Sequence, residues 1–387
     1  MRPRAALAWL APSTAAAMVA ATIATAVAHA APSSPWEDVA HPNRARCTQL
    51  VDEAEKLAQQ RQPRAATQLA RVAVRLCPSD RLVLQSAGEL LLGAHEYADA
   101  RRNLERARVL AETSPATRER ERSLAFVLGF AREVTGDVDG AIDEHRRLEA
   151  MGGLPTPNQY LVHYDLGDEL MATGRLSEAI DEYRRASLLA PPNKPIVRLA
   201  LAVALDRDEQ IDQARAQIAA AVAFDPELRS LSSEEYVFVP PADVYYYRAV
   251  ALYERGATAE ARFNLRTFLS ELPSSPYAAR ARERLAEAEG RLDPRELEPA
   301  ALGADRPVVA RALGPFITDL EGCLPASRVV RVELQLAAGR LTAAPHLAAA
   351  TCLDRVLSRI DTHSLAGVRA LSVTVPLAGR RGAASPP

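Results

Sequence analysis

The seven histidines and four cysteines are the side chains with which this chain could bind a metal ion or attack a substrate. They form neither an H-E-x-x-H nor a C-x-x-C motif, and no group of them has the spacing of a zinc site. His145 and His163 fall where the surrounding helical pattern places packed aromatic residues. We therefore interpret them as core or rim residues and expect neither a metal site nor a cofactor.

Other catalytic signatures are also missing from the sequence. It contains no G-x-S-x-G elbow, no P-loop and no dinucleotide-binding fingerprint. Carboxylate pairs such as Asp181/Glu182 and Glu234/Glu235 lie in charged stretches, where solvation is usual. A formal net charge of −2 gives no electrostatic footprint for nucleic acid. We therefore predict a protein that is not an enzyme and that binds neither a nucleic acid nor a small-molecule substrate.

The first thirty residues have the organisation of a secretory signal. Arg2 and Arg4 precede an apolar run over residues 5–27, and Ala28-His29-Ala30 supplies the small residues that signal peptidase requires. We predict a signal peptide over residues 1–30, a flexible spacer over 31–43 and a periplasmic mature chain. The alternative is an uncleaved anchor in the inner membrane, since the apolar run is long enough to span a bilayer. Only that alternative gives the chain a membrane contact.

A pair of small residues separated by twelve positions recurs along most of the chain. The pairs are Ala54 and Ala66, Gly88 and Ala100, Gly129 and Ala141, Gly167 and Ala179, Ala202 and Ala214, and Ala249 and Ala261. Together with His163, Leu166, Tyr183 and Pro191 in the fourth unit, this pattern resembles the tetratricopeptide repeat over residues 44–290. The resemblance implies a mainly α protein, with a solenoid of about six helical hairpins and a capping helix over residues 276–289.

The periodicity changes after this solenoid. We place a linker at residues 291–306, a small α+β domain at 307–378 and a disordered tail at 379–387. Cys323-Leu324-Pro325, the alternating Val330–Thr342 hairpin with Gly339, and Cys352 opening a helix make this domain resemble the C-terminal domains of TonB-type energy transducers and AgmX-type gliding-motility proteins. In those domains an aromatic residue often follows the first cysteine, where this chain has Leu324.

The tetratricopeptide resemblance also implies a binding surface. In that family the first helix of each hairpin lines a concave face that binds peptides. The corresponding residues here are Phe126, Phe130, Leu161, Tyr164, Asp168, Met171, Leu199, Val203, Tyr246, Val250 and Tyr253. They predict an apolar, aromatic groove for a protein or peptide partner in the cell envelope. The alternative is that these side chains pack against a neighbouring repeat or against the inserted segment Tyr236–Pro241.

Four cysteines in an exported chain predict two disulfide bonds. Cys47 opens the first helix of the first repeat and Cys77 ends its second, so antiparallel packing brings them together. Cys323 and Cys352 both belong to the C-terminal domain. We predict the pairs Cys47–Cys77 and Cys323–Cys352; the alternative is four free, buried thiols.

These features predict a non-catalytic scaffold in a Gram-negative cell envelope. The solenoid would hold one partner, and the small C-terminal domain would contact another partner or the envelope. One alternative is a membrane-anchored structural component, which keeps residues 5–27 in the inner membrane. Another is a non-catalytic subunit of a hydrolase or secretion complex.

Overall fold

The computed structural model describes residues 42–111, 117–155, 158–233, 236–298, 300–324, 328–337, 340–345, 347, 349–365, 367–368 and 372–379. The predicted signal peptide, spacer residues 31–41 and tail residues 380–387 lie outside these ranges. The chain divides into two compact units: unit 1 runs to Val197 and includes Arg229–Val239, and unit 2 comprises Arg198–Leu228 and the chain from Pro240 onward. None of the helices described is both long and apolar enough to cross a membrane.

The described part of the chain is mainly helical, as predicted. Its α-helices are α1 (Arg44–Gln59), α2 (Pro63–Leu76), α3 (Arg81–Gly93), α4 (Tyr97–Ala111), α5 (Arg118–Val134), α6 (Val138–Ala150), α7 (Gln159–Ala172), α8 (Leu176–Leu189), α9 (Pro195–Arg207), α10 (Ile211–Phe224), α11 (Val244–Glu254), α12 (Thr258–Glu271), α13 (Ala278–Ala288), α14 (Arg306–Leu313), α15 (Ile317–Gly322) and α16 (Ala350–Leu357). Two strands lie between α15 and α16, namely β1 (Val329–Ala337) and β2 (Arg340–Ala343), and a third, β3 (Ser372–Ala378), follows α16.

Consecutive helices of unit 1 pack as hairpins, α1 with α2, α3 with α4, α5 with α6 and α7 with α8. The small residues of the repeat lie where the two helices of a hairpin cross. A Cβ atom added to Gly167 would lie 2.5 Å from the Tyr183 ring, and one added to Gly88 would lie 2.6 Å from Leu104. The twelve-residue spacing of small residues is thus a packing requirement, because the facing side chain fills the space that a Cβ would need.

Glycine also makes the turns between some of these helices. Gly136 follows α5 with φ of +85°, and Gly174 follows α7 with φ of +78°. A side chain strains this left-handed backbone, so glycine is the residue that ends a helix there most readily. The next helix then begins within two or three residues, which produces the short hairpin of a tetratricopeptide repeat.

In unit 2, α11 and α12 form the last hairpin and α13 packs on α12. The Tyr246 and Phe268 rings of that hairpin meet edge to face, with centroids 5.3 Å apart. Helix α13 covers the range predicted for the capping helix, and its buried residues include Ala281 and Ala288. The fold class predicted from the repeat, a helical-hairpin solenoid followed by a small α+β region, is confirmed.

The C-terminal sheet is antiparallel with the strand order β2-β1-β3. In β1 the buried Val332, Leu334 and Leu336 alternate with exposed residues, as the sequence predicts. Val332 pairs with Val375 and Leu334 with Val373 in β3. The predicted turn residues Ala338 and Gly339 lie outside the described ranges. A short 3₁₀ turn, Gly314–Phe316, separates α14 from α15. Pro315 lies in this turn, and proline interrupts an α-helix because it lacks a backbone N–H.

The segment predicted as a linker, residues 291–306, has secondary structure and buried side chains of its own. It contains the 3₁₀ turns Pro294–Glu296 and Ala300–Asp305. Leu292, Leu297 and Leu302 belong to the same buried cluster as the sheet and α14–α16. Within unit 2, this segment therefore packs between the last repeat and the α+β region.

A buried ion pair connects the α+β region to α12 of the last hairpin. Glu321 at the end of α15 is fully buried and accepts hydrogen bonds from Arg262 Nε at 2.8 Å and Arg266 Nη1 at 2.6 Å, both on α12. The backbone N–H of Ala378 in β3 donates to the same carboxylate at 3.0 Å. One carboxylate thus joins α12, α15 and β3.

Candidate partner-binding site

The structure buries most of the residues that the repeat pattern assigned to the groove. Phe126, Phe130, Asp168 and Tyr253 are half-buried. The other predicted groove residues are buried: Leu161, Tyr164, Met171, Leu199, Val203, Tyr246 and Val250. The residues up to Met171 belong to unit 1, and those from Leu199 onward belong to unit 2.

The inserted segment occupies part of the predicted groove in unit 1. The ring of Tyr236 meets the ring of Tyr164 at a centroid distance of 6.0 Å, and Tyr164 also contacts Tyr183 at 6.2 Å. The ammonium group of Lys194 lies 5.9 Å from the centre of the Tyr236 ring. Tyr164 therefore packs against the inserted segment, which is the alternative to a binding role that the sequence left open.

In unit 2 the predicted groove residue Tyr246 takes part in a buried polar network. Its hydroxyl donates to Asp206 at 2.6 Å, and the Asp206 carboxylate also accepts from Arg284 Nε at 2.7 Å. The guanidinium group of Arg207 lies 4.6 Å from the Tyr246 ring centre and pairs with Asp243. These contacts give Tyr246 a structural role within the last repeats.

Tyr253, the half-buried groove residue of unit 2, lines a surface cavity of about 640 Å³. Arg291 Nη1 donates to the Tyr253 hydroxyl at 3.0 Å, and Pro294, Arg311 and Pro315 complete much of the wall. The cavity lies between the end of the solenoid and the α+β region of the same unit.

Phe126 and Phe130 form the part of the predicted groove that stays accessible in unit 1. They lie one turn apart on α5 and are half-buried. The Phe126 ring is 6.0 Å from the His145 ring, and the Phe130 ring meets Tyr97 edge to face at 6.5 Å. These ring contacts hold Phe126 and Phe130 in place, and both side chains keep some accessible surface.

Unit 1 also has a feature that the apolar interpretation missed, a carboxylate on the first helix of each of its four hairpins. Glu55 on α1, Glu89 on α3, Glu133 on α5 and Asp165 on α7 form this set, which we call the acidic row. Glu55 and Glu89 are at the ninth position of their repeats and Glu133 is at the twelfth, positions that face a ligand in this family. The same alignment that selected the aromatic residues could have found these carboxylates.

Burial raises the pKa of every carboxylate in the acidic row. Burial raises the pKa of Glu55 to about 7, and the charge of Glu89 adds to the increase while Arg120 opposes it. Burial likewise raises the pKa of Glu89, although hydrogen bonds from Gln85 and Ser123 oppose the change. The pKa of Glu133 is raised well above its ordinary value by burial and by three neighbouring carboxylates.

A buried histidine lies at the Asp165 end of the row. His145 Nδ1 hydrogen-bonds Glu169 at 2.7 Å, and its Nε2 is 3.9 Å from Asp165. Burial alone would lower the pKa of His145, but the charges of Glu169 and Asp165 outweigh it and raise this pKa to about 9. His145 is therefore a cation at neutral pH, and it compensates part of the negative charge of Glu169 and Asp165.

We predict that Asp165→Asn stabilises unit 1 at pH 8. Burial raises the pKa of Asp165 from 3.8 to about 7 despite the opposing charge of His145, so the folded state holds a proton more tightly than the unfolded state. Wild-type stability is then lost as the pH rises from about 4 through 7. We expect a melting temperature a few degrees higher in the variant at pH 8, and a smaller difference at pH 5. Asp181→Asn, at an exposed carboxylate, is the control; a lower melting temperature for Asp165→Asn at pH 8 would contradict the prediction.

One group of side chains in the described chain has ligand atoms close enough together to hold a metal ion, namely Glu149, His163 and Glu182. His163 Nδ1 is hydrogen-bonded to Glu182 at 2.7 Å. Arg185 donates to Glu182 at 2.9 Å and to Glu149 at 3.3 Å, so its cation already neutralises the carboxylates. Their contacts are those of an ion-pair network that joins α6, α7 and α8.

The structure has the predicted cysteine pairs at bonding distance. The sulfur atoms of Cys47 and Cys77 are 2.10 Å apart with Cα atoms 6.4 Å apart, and those of Cys323 and Cys352 are 2.09 Å apart with Cα atoms 5.7 Å apart. The first pair joins the start of α1 to the residue after α2, and the second joins the residue after α15 to α16.

Comparison with known proteins gives structural likeness only. Neither a protein-family model nor a curated protein matches this chain. Among solved structures it is similar to YrrB, a tetratricopeptide-repeat protein with an unusual peptide-binding site, at 19% identity and a TM-score of 0.35 over 55% of this chain and 97% of that one. It is also similar to MamA, at 18% identity and a TM-score of 0.38 over 46% of this chain and 96% of that one.

The hairpins, their short turns and the close crossings at Gly88 and Gly167 define the class of protein. In unit 1 the glycines Gly88, Gly129 and Gly167 lie against the facing helix of their own hairpin, and each of the four hairpins stacks on the next. The fold is that of a tetratricopeptide-repeat protein.

Proposed function

We propose that this chain is an exported, non-catalytic scaffold that binds an extended segment of a partner protein on the concave face of unit 1. The observation that carries this proposal is the pair Phe126 and Phe130. Both rings are fixed by packing against Tyr97 and His145 and both keep accessible surface at ligand-facing positions. Rigid, partly exposed aromatic rings of this kind are typical anchors for a peptide.

The cysteine pairs support the exported location. Two pairs at bonding distance suit an oxidising compartment such as the periplasm, since cytosolic thiols are kept reduced. The signal-like N-terminus is consistent with the same compartment. The partner is then a protein of the cell envelope.

Export predicts a particular mature chain. We expect the periplasmic fraction of a Gram-negative host to contain a protein that begins at Ala31, because Ala28-His29-Ala30 is the small-residue motif before it. The intact mass of the purified protein measures this directly. Recovery of a membrane-bound chain that retains residues 1–30 would contradict cleavage and would support the anchored alternative.

A charge placed in the accessible part of the groove tests the binding proposal. We expect Phe130→Arg to reduce partner recovery from the envelope fraction at least tenfold, because losing a packed aromatic anchor typically costs about 2 kcal/mol. Leu188→Arg is the matched control, since it adds the same charge at a side chain that is 87% exposed. Circular dichroism checks that both variants fold. Equal recovery with wild type, Phe130→Arg and Leu188→Arg would contradict the proposed site.

A further inference from the structure

The N-terminal half of the acidic row has more hydrogen-bond acceptors than donors. Glu89 Oε1 accepts from Gln85 Nε2 at 3.0 Å and from Ser123 Oγ at 2.8 Å. Its other oxygen, Oε2, is buried without a hydrogen-bond donor from the described chain, and the same holds for Gln85 Oε1. Gln85 and Glu89 are 0% and 2% exposed, so these are buried acceptors of the kind that proteins normally satisfy.

Charged side chains also act on these carboxylates. The charge of Glu89 makes Glu55 harder to ionise, whereas Arg120 favours the ionised form of both. Glu89 Oε2 and Gln85 Oε1 are thus buried acceptors without a donor in the described chain, and Glu55 is a further carboxylate that interacts electrostatically with Glu89.

We propose that the partner segment carries an arginine side chain whose guanidinium group binds to Glu55, Gln85 and Glu89. This inference rests on the proposed function and names the chemistry of its partner. A guanidinium group is planar, carries five N–H donors and stays charged, so it can satisfy the two acceptors, Gln85 Oε1 and Glu89 Oε2, that lack a donor. Glu55 is partly exposed and meets the ligand first, and the Gln85 and Glu89 side chains turn toward it.

The surroundings favour a side chain over a metal ion. Ser123, which donates to Glu89, is three residues before Phe126 on α5, so the acceptors and the accessible aromatic rings belong to one continuous face. An extended peptide with an apolar residue near an arginine could contact the aromatic rings with the first side chain and the acceptors with the second. Within the described chain, ligand atoms at metal-binding separation occur instead at Glu149, His163 and Glu182.

Binding of the guanidinium group should depend on pH. The groups that act on Glu55 are Asp52 on its own helix, Glu89 on α3 and Arg120 on α5. Because the pKa of Glu55 is about 7 in the free protein, its carboxylate is largely protonated at pH 6 and must lose the proton when a cation binds. Affinity should therefore increase from pH 6 to pH 8 and should decrease with added salt.

Labelled synthetic peptides test this inference. We would measure the binding of a peptide of about ten residues that alternates arginine with phenylalanine and serine, by fluorescence anisotropy at pH 8. Its matched control replaces each arginine by citrulline, which has the same shape without the charge. We expect the arginine peptide to bind wild type at least tenfold more tightly than the citrulline peptide. The double variant Glu55→Gln with Glu89→Gln should bind the two peptides equally.

Control variants separate this inference from the proposed function. Glu178→Gln neutralises a carboxylate that is 52% exposed and should keep the full preference for arginine. Equal binding of the arginine and citrulline peptides to wild type, or no saturable binding of the arginine peptide, would overturn the arginine site. So would a preference that survives in the double variant. The loss of partner recovery in Phe130→Arg tests the groove itself, whatever the peptide result.

Discussion

Glu321→Ala is expected to destabilise unit 2 by about 3–5 kcal/mol, because it removes the carboxylate of a buried ion pair. The Glu321 side chain is fully buried and is the carboxylate partner of both Arg262 and Arg266. Removing it leaves the Arg262 guanidinium group, which is also fully buried, without a counter-charge. It also removes the acceptor for the Ala378 N–H in β3. The substitution should therefore remove both contacts of α15 made through this carboxylate, the one with α12 and the one with β3.

Asp319→Ala is a matched control on the same short helix. Asp319 pairs with Arg359 at 2.6 Å, but the two side chains are 46% and 58% exposed. Exposed pairs of this kind contribute less than about 1 kcal/mol. Urea unfolding followed by circular dichroism, together with hydrogen exchange of β3, measures both variants. Similar stability losses for Glu321→Ala and Asp319→Ala would show that the buried ion pair does not fasten the α+β region.

The second large effect is expected when the Cys47–Cys77 pair is removed. Cys47→Ala with Cys77→Ala should destabilise the first repeat by about 3–4 kcal/mol on the chain-entropy model, because the bond closes a loop of 30 residues. Among the described residues, this hairpin has a neighbouring repeat on one side, so we expect it to depend on the bond more than a hairpin with described neighbours on both sides. Cys47 itself is 0% exposed, and the packing of the first repeat's core surrounds it.

Hydrogen exchange of α1 and α2 localises this effect. A reducing agent should increase exchange in these helices in wild type and should change little there in the double variant. Peptide mapping without reduction should find Cys47 joined to Cys77 and Cys323 joined to Cys352. A peptide that joins Cys47 to Cys323, or unchanged exchange of α1 in the double variant, would contradict this account of the first repeat.

The hairpin architecture could be predicted from the sequence because it depends on local spacing. Gly167 and Tyr183 are one small and one large residue at fixed positions, and the structure brings the ring to the glycine. The Cys47–Cys77 pairing follows from the same register, since the two residues are at the open ends of one hairpin. The buried face of β1 was predictable as well, because Val332 and Leu334 alternate with polar residues in the sequence and with exposed residues in the structure.

The site was less predictable because its properties depend on contacts distant in sequence. Tyr164 has the position of a groove residue, but Tyr236, seventy-two positions later, packs on it. Glu89 looks like an ordinary surface carboxylate until Gln85 and Ser123 are found beside it. Glu321 likewise has no local signal, since its partner Arg262 is fifty-nine residues away. Side-chain type and spacing identify the faces of a repeat but not what covers them.

Position-specific photo-crosslinking is the most direct test of the claim that the concave face of unit 1 binds a partner segment. A photoreactive phenylalanine analogue would replace Phe130 in one variant and the exposed Leu188 in another, in cells that export the full chain. We predict a discrete crosslinked protein from position 130 that is absent from position 188, and its loss when Glu55 and Glu89 are both replaced by glutamine. Crosslinking of the same protein from both positions, or from position 188 alone, would contradict the account.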